Sequence, residues 1–143
     1  MNKKQMVLGF MFSENGRSVA LIYKLRPTWQ KDKINGIGGK VETFDKGYNH
    51  AMSREFREET GVSTKPEDWT AYCHLTGEDF ELRVFKCFSD KVYDAETQTN
   101  EQVDIIKTSW AIRGEYRIIY NLRWLIPMAL DPNINKLINI EYD

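Results

Sequence analysis

A short run near the middle of the chain, Arg54-Glu55-Phe56-Arg57-Glu58-Glu59-Thr60-Gly61-Val62, restricts the fold more than any other segment. On a helix of about 3.6 residues per turn, each residue advances by about 100°. With Glu55 set at zero, Glu58 falls near 300° and Glu59 near 40°, so the three acids share an arc of about 100°. Ala51 and Met52 fall on the same arc, near 320° and near 60°, whereas Ser53, Arg54 and Arg57 lie on the other side. The acids therefore occupy the side by which a helix meets the protein body. Two costs follow. Glu55–Glu58 and Glu55–Glu59 are like-charge pairs that each cost a few tenths of a kcal/mol. Glu58 and Glu59 also stand in the last turn, where the helix dipole favours cations. A divalent cation offsets both, and hard Mg2+ suits such oxygen ligands while taking further oxygens from water and phosphate. The alternatives are a solvated Glu/Arg helix with Arg54–Glu58 as a surface pair, or a buried Arg–Glu network.

This helix is expected over residues 46–60, with Asp45 as N-cap and Gly61 in a left-handed C-terminal cap. Just ahead of it lies Asn35-Gly36-Ile37-Gly38-Gly39-Lys40, read as a glycine-rich turn that allows close backbone approach and positive φ. It is neither a Walker A loop, since no GK[ST] follows, nor a GxGxxG fingerprint. Strands are expected at residues 6–12 and 18–25, joined by a hairpin through Asn15-Gly16, with Pro27 ending the second. A polar loop, 28–33, follows. Further strands are expected at 69–75, 80–88 and 102–112, and residues 89–100 read as a flexible polar loop. Residues 120–130 carry Leu122, Leu125, Ile126, Ala129 and Leu130 at helical spacing. Pro127 predicts that this helix is split or begins near the proline. No fixed-period repeat or Pro/Ser-rich linker divides the chain, so one mixed α/β domain over residues 1–143 is expected.

Composition narrows the partners. Twenty Lys plus Arg against 21 Asp plus Glu give a net charge of −1. No broad basic field exists to track a nucleic-acid polymer. No apolar run reaches the roughly 18 residues of a bilayer span, and residues 1–5 lead into a strand rather than a signal-peptide core. Cys73 and Cys87 form no CxxC pair. A reduced, cytoplasmic protein with no membrane partner is expected, as monomer or homodimer.

Taken together, residues 39–62 resemble the Nudix box, G-x5-E-x7-R-E-U-x-E-E-x-G-U, with U a bulky aliphatic or aromatic residue. Gly39, Arg54, Glu55, Phe56, Glu58, Glu59, Gly61 and Val62 stand at box positions. Asp45 stands where the pattern has its first glutamate. Eight residues, 46–53, then separate it from Arg54 where the pattern has seven, which reads as a one-residue insertion. The box covers 24 of 143 residues, and chain length and strand order extend the resemblance to a single Nudix domain over nearly the whole chain. The resemblance implies an α/β/α sandwich with a central mixed β-sheet. It implies hydrolysis of a nucleoside diphosphate linked to another group X, with Mg2+ or Mn2+. Glu55 and Glu59 are then metal ligands, Glu58 a further ligand or the base, and the Gly38 carbonyl an additional ligand. Arg54 orients the carboxylates. A later-loop glutamate that completes the metal site or acts as general base is assigned first to Glu101 and second to Glu96.

The resemblance also bears on the substrate, a small nucleotide. Residues 35–41 look like a stretch of the oxidised-purine nucleoside triphosphatases, in which Asn35 would offer a purine edge both a donor and an acceptor; an Asn-Gly turn is the simpler account. Residues 121–127 resemble the segment closing the base pocket, with Asn121 as a contact and Trp124 as an aromatic wall or a core residue. The tryptophan and acidic pair that clamp the base in the mammalian enzyme are not evident, and Ile118 and Tyr120 stand nearby. Lys24 and Lys40 complete the candidate substrate-binding set, with Arg26 beside Lys24. The leading expectation is conversion of a nucleoside triphosphate, with an oxidised purine as one candidate, to monophosphate and pyrophosphate. The alternatives are ADP-ribose, dinucleoside polyphosphate or nucleotide-sugar hydrolysis, and a non-catalytic nucleotide-binding module. The short stretch ahead of the first strand leans against ADP-ribose relatives, and the intact Glu55, Glu58 and Glu59 against a non-catalytic role.

Overall fold

The computed structural model describes residues 2–114 and 117–143. Strand β1 (Lys4–Phe12) sends Val7 and Met11 to one face and Leu8, Phe10 and Phe12 to the other, all buried. A strand apolar on both faces belongs inside a sheet with both faces covered. The Asn15-Gly16 hairpin forms, with Gly16 at φ 74°, and leads into β2 (Ser18–Tyr23). The two strands pair only at Phe12 and Val19. Beyond that point β3 (Ile34–Asn35) pairs with β2, and β4 (Ile37–Lys40) pairs with β1 from Met6 to Gly9. On its other side β1 runs parallel to β6 (Phe80–Phe88), which pairs antiparallel with β5 (Thr70–Thr76). The outer strands are β7 (Val103–Lys107), antiparallel to β2, and β8 (Ile138–Glu141), parallel to β5. The sheet is mixed.

Helix α1 (Tyr48–Thr60) covers one face with Ala51, Met52 and Phe56, packed on Val7, Met11, Ile37 and Phe85. Full burial of such a side chain stabilises by about 1.5–3 kcal/mol. Gly9 permits this packing, because a Cβ there would lie 2.5 Å from Met52 Cε. Helices α2 (Thr108–Arg113) and α3 (Leu122–Leu130) cover the opposite face, where Leu122, Leu125, Ile126 and Ala129 meet Leu8, Phe10 and Phe12. The result is the expected α/β/α arrangement around a mixed sheet.

Several expectations are corrected. The glycine segment is not a turn: Ile34–Asn35 form β3 and Ile37–Lys40 form β4, and Gly36, Gly38 and Gly39 are not among the glycines with positive φ. Helix α1 starts at Tyr48 with Gly47, at φ 117°, in the cap position, so Asp45 is not the N-cap. Its C-terminal cap is as expected, with Gly61 at φ 78° donating to the Arg57 carbonyl. The strand expected at 102–112 stops at Lys107. Residues 108–113 turn into α2, which buries Thr108 and Ala111 and ends at left-handed Gly114. Packing against α3 has overridden the β-like composition there. Pro127 lies inside one continuous α3, and the N–H it lacks leaves the helix intact around it. The polar segment 89–100 contains a helical turn, Asp90–Asp94, that buries Val92. Strand β8 was not expected, although Ile138 and Ile140 alternate with Asn139 and Glu141. No helix among the described residues is long and apolar enough to cross a membrane. Cys73 and Cys87 are free buried thiols, each pushed up to about 11 by burial.

Candidate active site

The site is built where α1 crosses β4. Gly38 and Gly39 are required there by space. A Cβ on Gly38 would lie 2.0 Å from the Val7 carbonyl oxygen, and one on Gly39 would lie 2.5 Å from the Glu55 carboxyl group. The glycines thus bring the acidic face of the helix down onto the strand. The α1 acids differ in burial: the Glu55 side chain is 13% exposed, while that of Glu58 is 55% exposed and stands at the rim. Glu59 is half-buried, and its Oε2 is sealed from solvent with no hydrogen-bond partner.

Arg54 lies on the other side of the helix by angle alone, yet its long side chain returns to the acids. Nε and Nη2 donate to the two Asp45 oxygens at 2.9 and 2.8 Å. Nη1 donates to Glu55 Oε1 at 3.0 Å and to Glu58 Oε2 at 3.1 Å, and Nη2 donates to the Lys40 carbonyl at 3.0 Å. These five bonds occupy every guanidinium donor. The Phe44 ring covers the guanidinium at 5.3 Å. Asp45 also accepts from the Glu42 N–H at 2.8 Å, which closes the loop ahead of α1.

The electrostatics divide the acids into two kinds. The Arg54 hydrogen bond holds Asp45 below the usual carboxylate range. Burial raises Glu55, against the opposing pull of Arg54. Burial, then the negative charge of Glu55, pushes Glu59 up to about 8; Glu101 adds to this, while Lys24 and a backbone hydrogen bond from Gly38 oppose it. Burial and two neighbouring carboxylates thus disfavour the Glu59 anion, and the Lys24 charge offsets this only in part.

Glu101, just ahead of β7, is buried and faces the same place. Its Oε1 accepts from Lys24 Nζ at 3.0 Å and its Oε2 from the Leu25 N–H at 2.7 Å. Burial raises Glu101, but the Leu25 N–H and Lys24 outweigh it and hold the group below its ordinary value. Glu96 is exposed, and its N–H bonds the Thr60 carbonyl at the end of α1. No three His, Cys, Asp or Glu side chains among the described residues converge as a ready-made metal cage. Mg2+ rarely uses one: it takes one or two carboxylates, keeps waters and borrows substrate oxygens. Hard oxygen donors and an orphaned buried Glu59 oxygen fit such an ion.

The remaining candidates are scattered around this centre. Asn35 donates to Gln30 Oε1 at 3.0 Å and accepts from the Gly36 N–H at 2.8 Å, so its side chain is engaged within the chain. Backbone bonds from Ile34 to Arg117 and from Ile119 to Ile34 bring residues 117–119 against β3. Asn121 stands just beyond; its Nδ2 donates to the Tyr142 hydroxyl at 3.3 Å and its Oδ1 is buried without a partner. Ile118 is buried, Tyr120 is exposed, and Trp124 packs partly buried on the core. Lys40 and Arg26 are exposed. A groove of about 620 Å3 along α1 is lined by Arg54, Arg57 and Glu58 but by neither Glu55 nor Glu59. Sequence reasoning missed the Phe44 cover on Arg54 and the Tyr142 contact to Asn121. The alternation at 138–141 was the available signal for the latter, and none marked Phe44.

The three layers, the split β1–β2 pair and the helix of acids on β4 define the Nudix fold. No protein-family model matches the sequence, and no curated protein matches it. Solved structures do. A MutT chain from a study of Aliivibrio salmonicida and Vibrio cholerae superposes with a TM-score of 0.74 at 18% identity, covering 90% of this chain and 98% of that one. A NUDIX hydrolase from Nitrosomonas europaea gives 0.76 at 14% identity over 99% and 81%. The NUDIX domain of Shewanella oneidensis NrtR, solved with ADP ribose, gives 0.75 at 13% identity over 90% and 87%.

Proposed function

We propose that the chain, as a single Nudix domain over residues 1–143, is a divalent-metal-dependent hydrolase of a nucleoside diphosphate linked to X. The observation that carries this reading is the buried, unpartnered Oε2 of Glu59 beside Gly38 and Glu55. Glu55, Glu59 and the Gly38 carbonyl hold Mg2+ or Mn2+, with Glu58 at the rim. When bound, the ion offsets charge on the phosphate oxygens and acidifies the attacking water. Arg54 sets the directions of Glu55 and Glu58 through a network that leaves it no free donor. Glu58, exposed and braced at one oxygen, takes the proton of the water. Glu101 secures the end of β2 through Leu25 and Lys24, and its assignment as base ranks below that of Glu58 because its oxygens are engaged. A nucleoside triphosphate is the preferred substrate, cleaved to monophosphate and pyrophosphate, with Lys24 and Lys40 toward phosphates and Asn35 and Asn121 toward a purine. The box carries one extra residue in the loop ending at Gly47, and Asp45 keeps its hold on Arg54 across it.

A panel of nucleotides incubated with Mg2+, with phosphate and pyrophosphate detected, tests this directly. Glu59→Gln is expected to abolish turnover while circular dichroism and thermal unfolding report an intact fold. Full activity in that variant would remove the metal assignment. A second reading is a domain that binds a nucleotide without hydrolysing it, and the neighbour solved with ADP ribose supports ADP-ribose as the ligand to try. Saturable binding of ADP-ribose with no product released in Mg2+ would decide for it.

A further inference from the structure

Lys24 is drawn into the acidic site rather than out toward solvent. Its side chain is 16% exposed and that of Glu101 is 8% exposed, with 3.0 Å between Nζ and Oε1. The second Glu101 oxygen is already taken by the Leu25 N–H. The Lys24 ammonium also lies close enough to Glu59 to act on its charge, as do the carboxylates of Glu55 and Glu101. Arg54 does not share this task, because its five bonds go to Asp45, Glu55, Glu58 and the Lys40 carbonyl. The two cations thus differ in kind. Arg54 is a rigid fork held at every donor, whereas Lys24 is a compact charge on a flexible four-carbon stem. A divalent cation between Glu55 and Glu59 would repel the ammonium. Substrate phosphates beside it would attract it.

We propose that Lys24 is a resident counter-cation of the acidic site, tied to Glu101 in the metal-free chain and released to the substrate phosphates when a divalent cation occupies the carboxylates. This inference rests on the metal-dependent reading above. It makes Lys24 a positioning residue that links metal occupancy to phosphate binding, and it gives the Lys24–Glu101 pair a purpose besides fastening β2.

The test compares the unmodified chain with Lys24→Met and with Lys46→Met, an exposed lysine ahead of α1 that serves as charge control. Free Mn2+ is followed by electron paramagnetic resonance without nucleotide, and pyrophosphate binding by calorimetry at saturating Mn2+. Lys24→Met is expected to bind Mn2+ about tenfold more tightly, since a nearby competing charge is gone, and Lys46→Met to be unchanged. Lys24→Met is expected to bind pyrophosphate about tenfold more weakly, as a lost charge-assisted contact. Unchanged or weaker Mn2+ affinity in Lys24→Met overturns the counter-cation role. Tighter Mn2+ with unchanged pyrophosphate affinity overturns the release. Absence of Mn2+ binding by the unmodified chain would instead refute the metal-dependent reading itself. Should Lys24→Met not fold, the Lys24 ammonium resonance of the unmodified chain, assigned through Lys24→Arg, serves in its place. It is expected to shift when Mg2+ and pyrophosphate are added together, and a resonance that stays in place overturns the proposal.

Discussion

Arg54 and Asp45 meet as a two-bond pair, Nε to Oδ1 at 2.9 Å and Nη2 to Oδ2 at 2.8 Å. The Asp45 side chain is 3% exposed and that of Arg54 is 20% exposed, so the pair is shielded from solvent screening. Asp45 therefore anchors the guanidinium that in turn directs Glu55 and Glu58.

Asp45→Asn keeps the shape but loses a charge-assisted acceptor. It is expected to lower stability by about 1–3 kcal/mol at neutral pH, measured by urea unfolding. The folded-state pKa of Asp45 is depressed, so its contribution is present above its ordinary value of 3.8 and lost as pH falls below it. The difference between Asp45→Asn and the unmodified chain should therefore shrink in acid. A difference that grows in acid would contradict the ion pair.

Gly38→Ala and Gly39→Ala should fail differently. At Gly38 the new Cβ meets backbone, the Val7 carbonyl, which cannot yield without breaking the β1–β4 pairing. A loss of about 3 kcal/mol or more is expected. At Gly39 the nearest atoms to the new Cβ belong to the Glu55 carboxyl group, which can turn aside. Gly39→Ala should fold, with a smaller loss of stability, and bind Mn2+ at least about tenfold more weakly. Calorimetry on both variants separates the two outcomes.

Glu59 predicts an unusual pH dependence. Its folded-state pKa is raised from 4.5 to about 8, first by burial and then by Glu55. The folded chain then holds a proton that the unfolded chain releases, so the stability from this group is complete below 4.5 and is lost as pH rises through about 8. Metal-free thermal unfolding should shift down between about pH 5 and pH 8, and millimolar Mg2+ should restore it. A transition temperature that rises with pH in that window, with the other acids already ionised, would remove the assignment.

Gly61→Ala tests the end of α1. Gly61 sits at φ 78°, and a Cβ would lie 2.8 Å from Gln98 Nε2, the far end of a side chain able to move. A cost of about 1 kcal/mol from the left-handed backbone is expected in chemical denaturation, with the acids in place.

The acidic helix was legible because its information is local. The spacing of Glu55, Glu58 and Glu59 relative to Ala51 and Met52 selects a face at a known angle per residue, and Gly61 marks the end by its freedom at positive φ. The hairpin at Asn15-Gly16 and the continuous apolar run of β1 are local in the same sense. The angular argument misplaced Arg54, because it counts where a side chain starts and not how far it reaches. It also equated Glu58 with Glu59, although burial depends on what lies above the helix.

Sequence alone therefore settled the apolar run of β1, the acid-bearing face of α1 and the turn residues that bound them, since each follows from local composition, backbone period and glycine's lack of a Cβ. Tertiary structure decided the rest. Gly38 and Gly39 serve close approach and not positive φ, because the constraint comes from Val7 and Glu55 on other elements. Residues 108–113 leave the strand to pack on α3. Lys24 meets Glu101 across 77 positions, and Asp45, displaced from the helix cap by Gly47, turns to Arg54. These contacts join groups far apart along the chain, and their energies depend on burial and distance, which become defined only when the sheet and helices close around them.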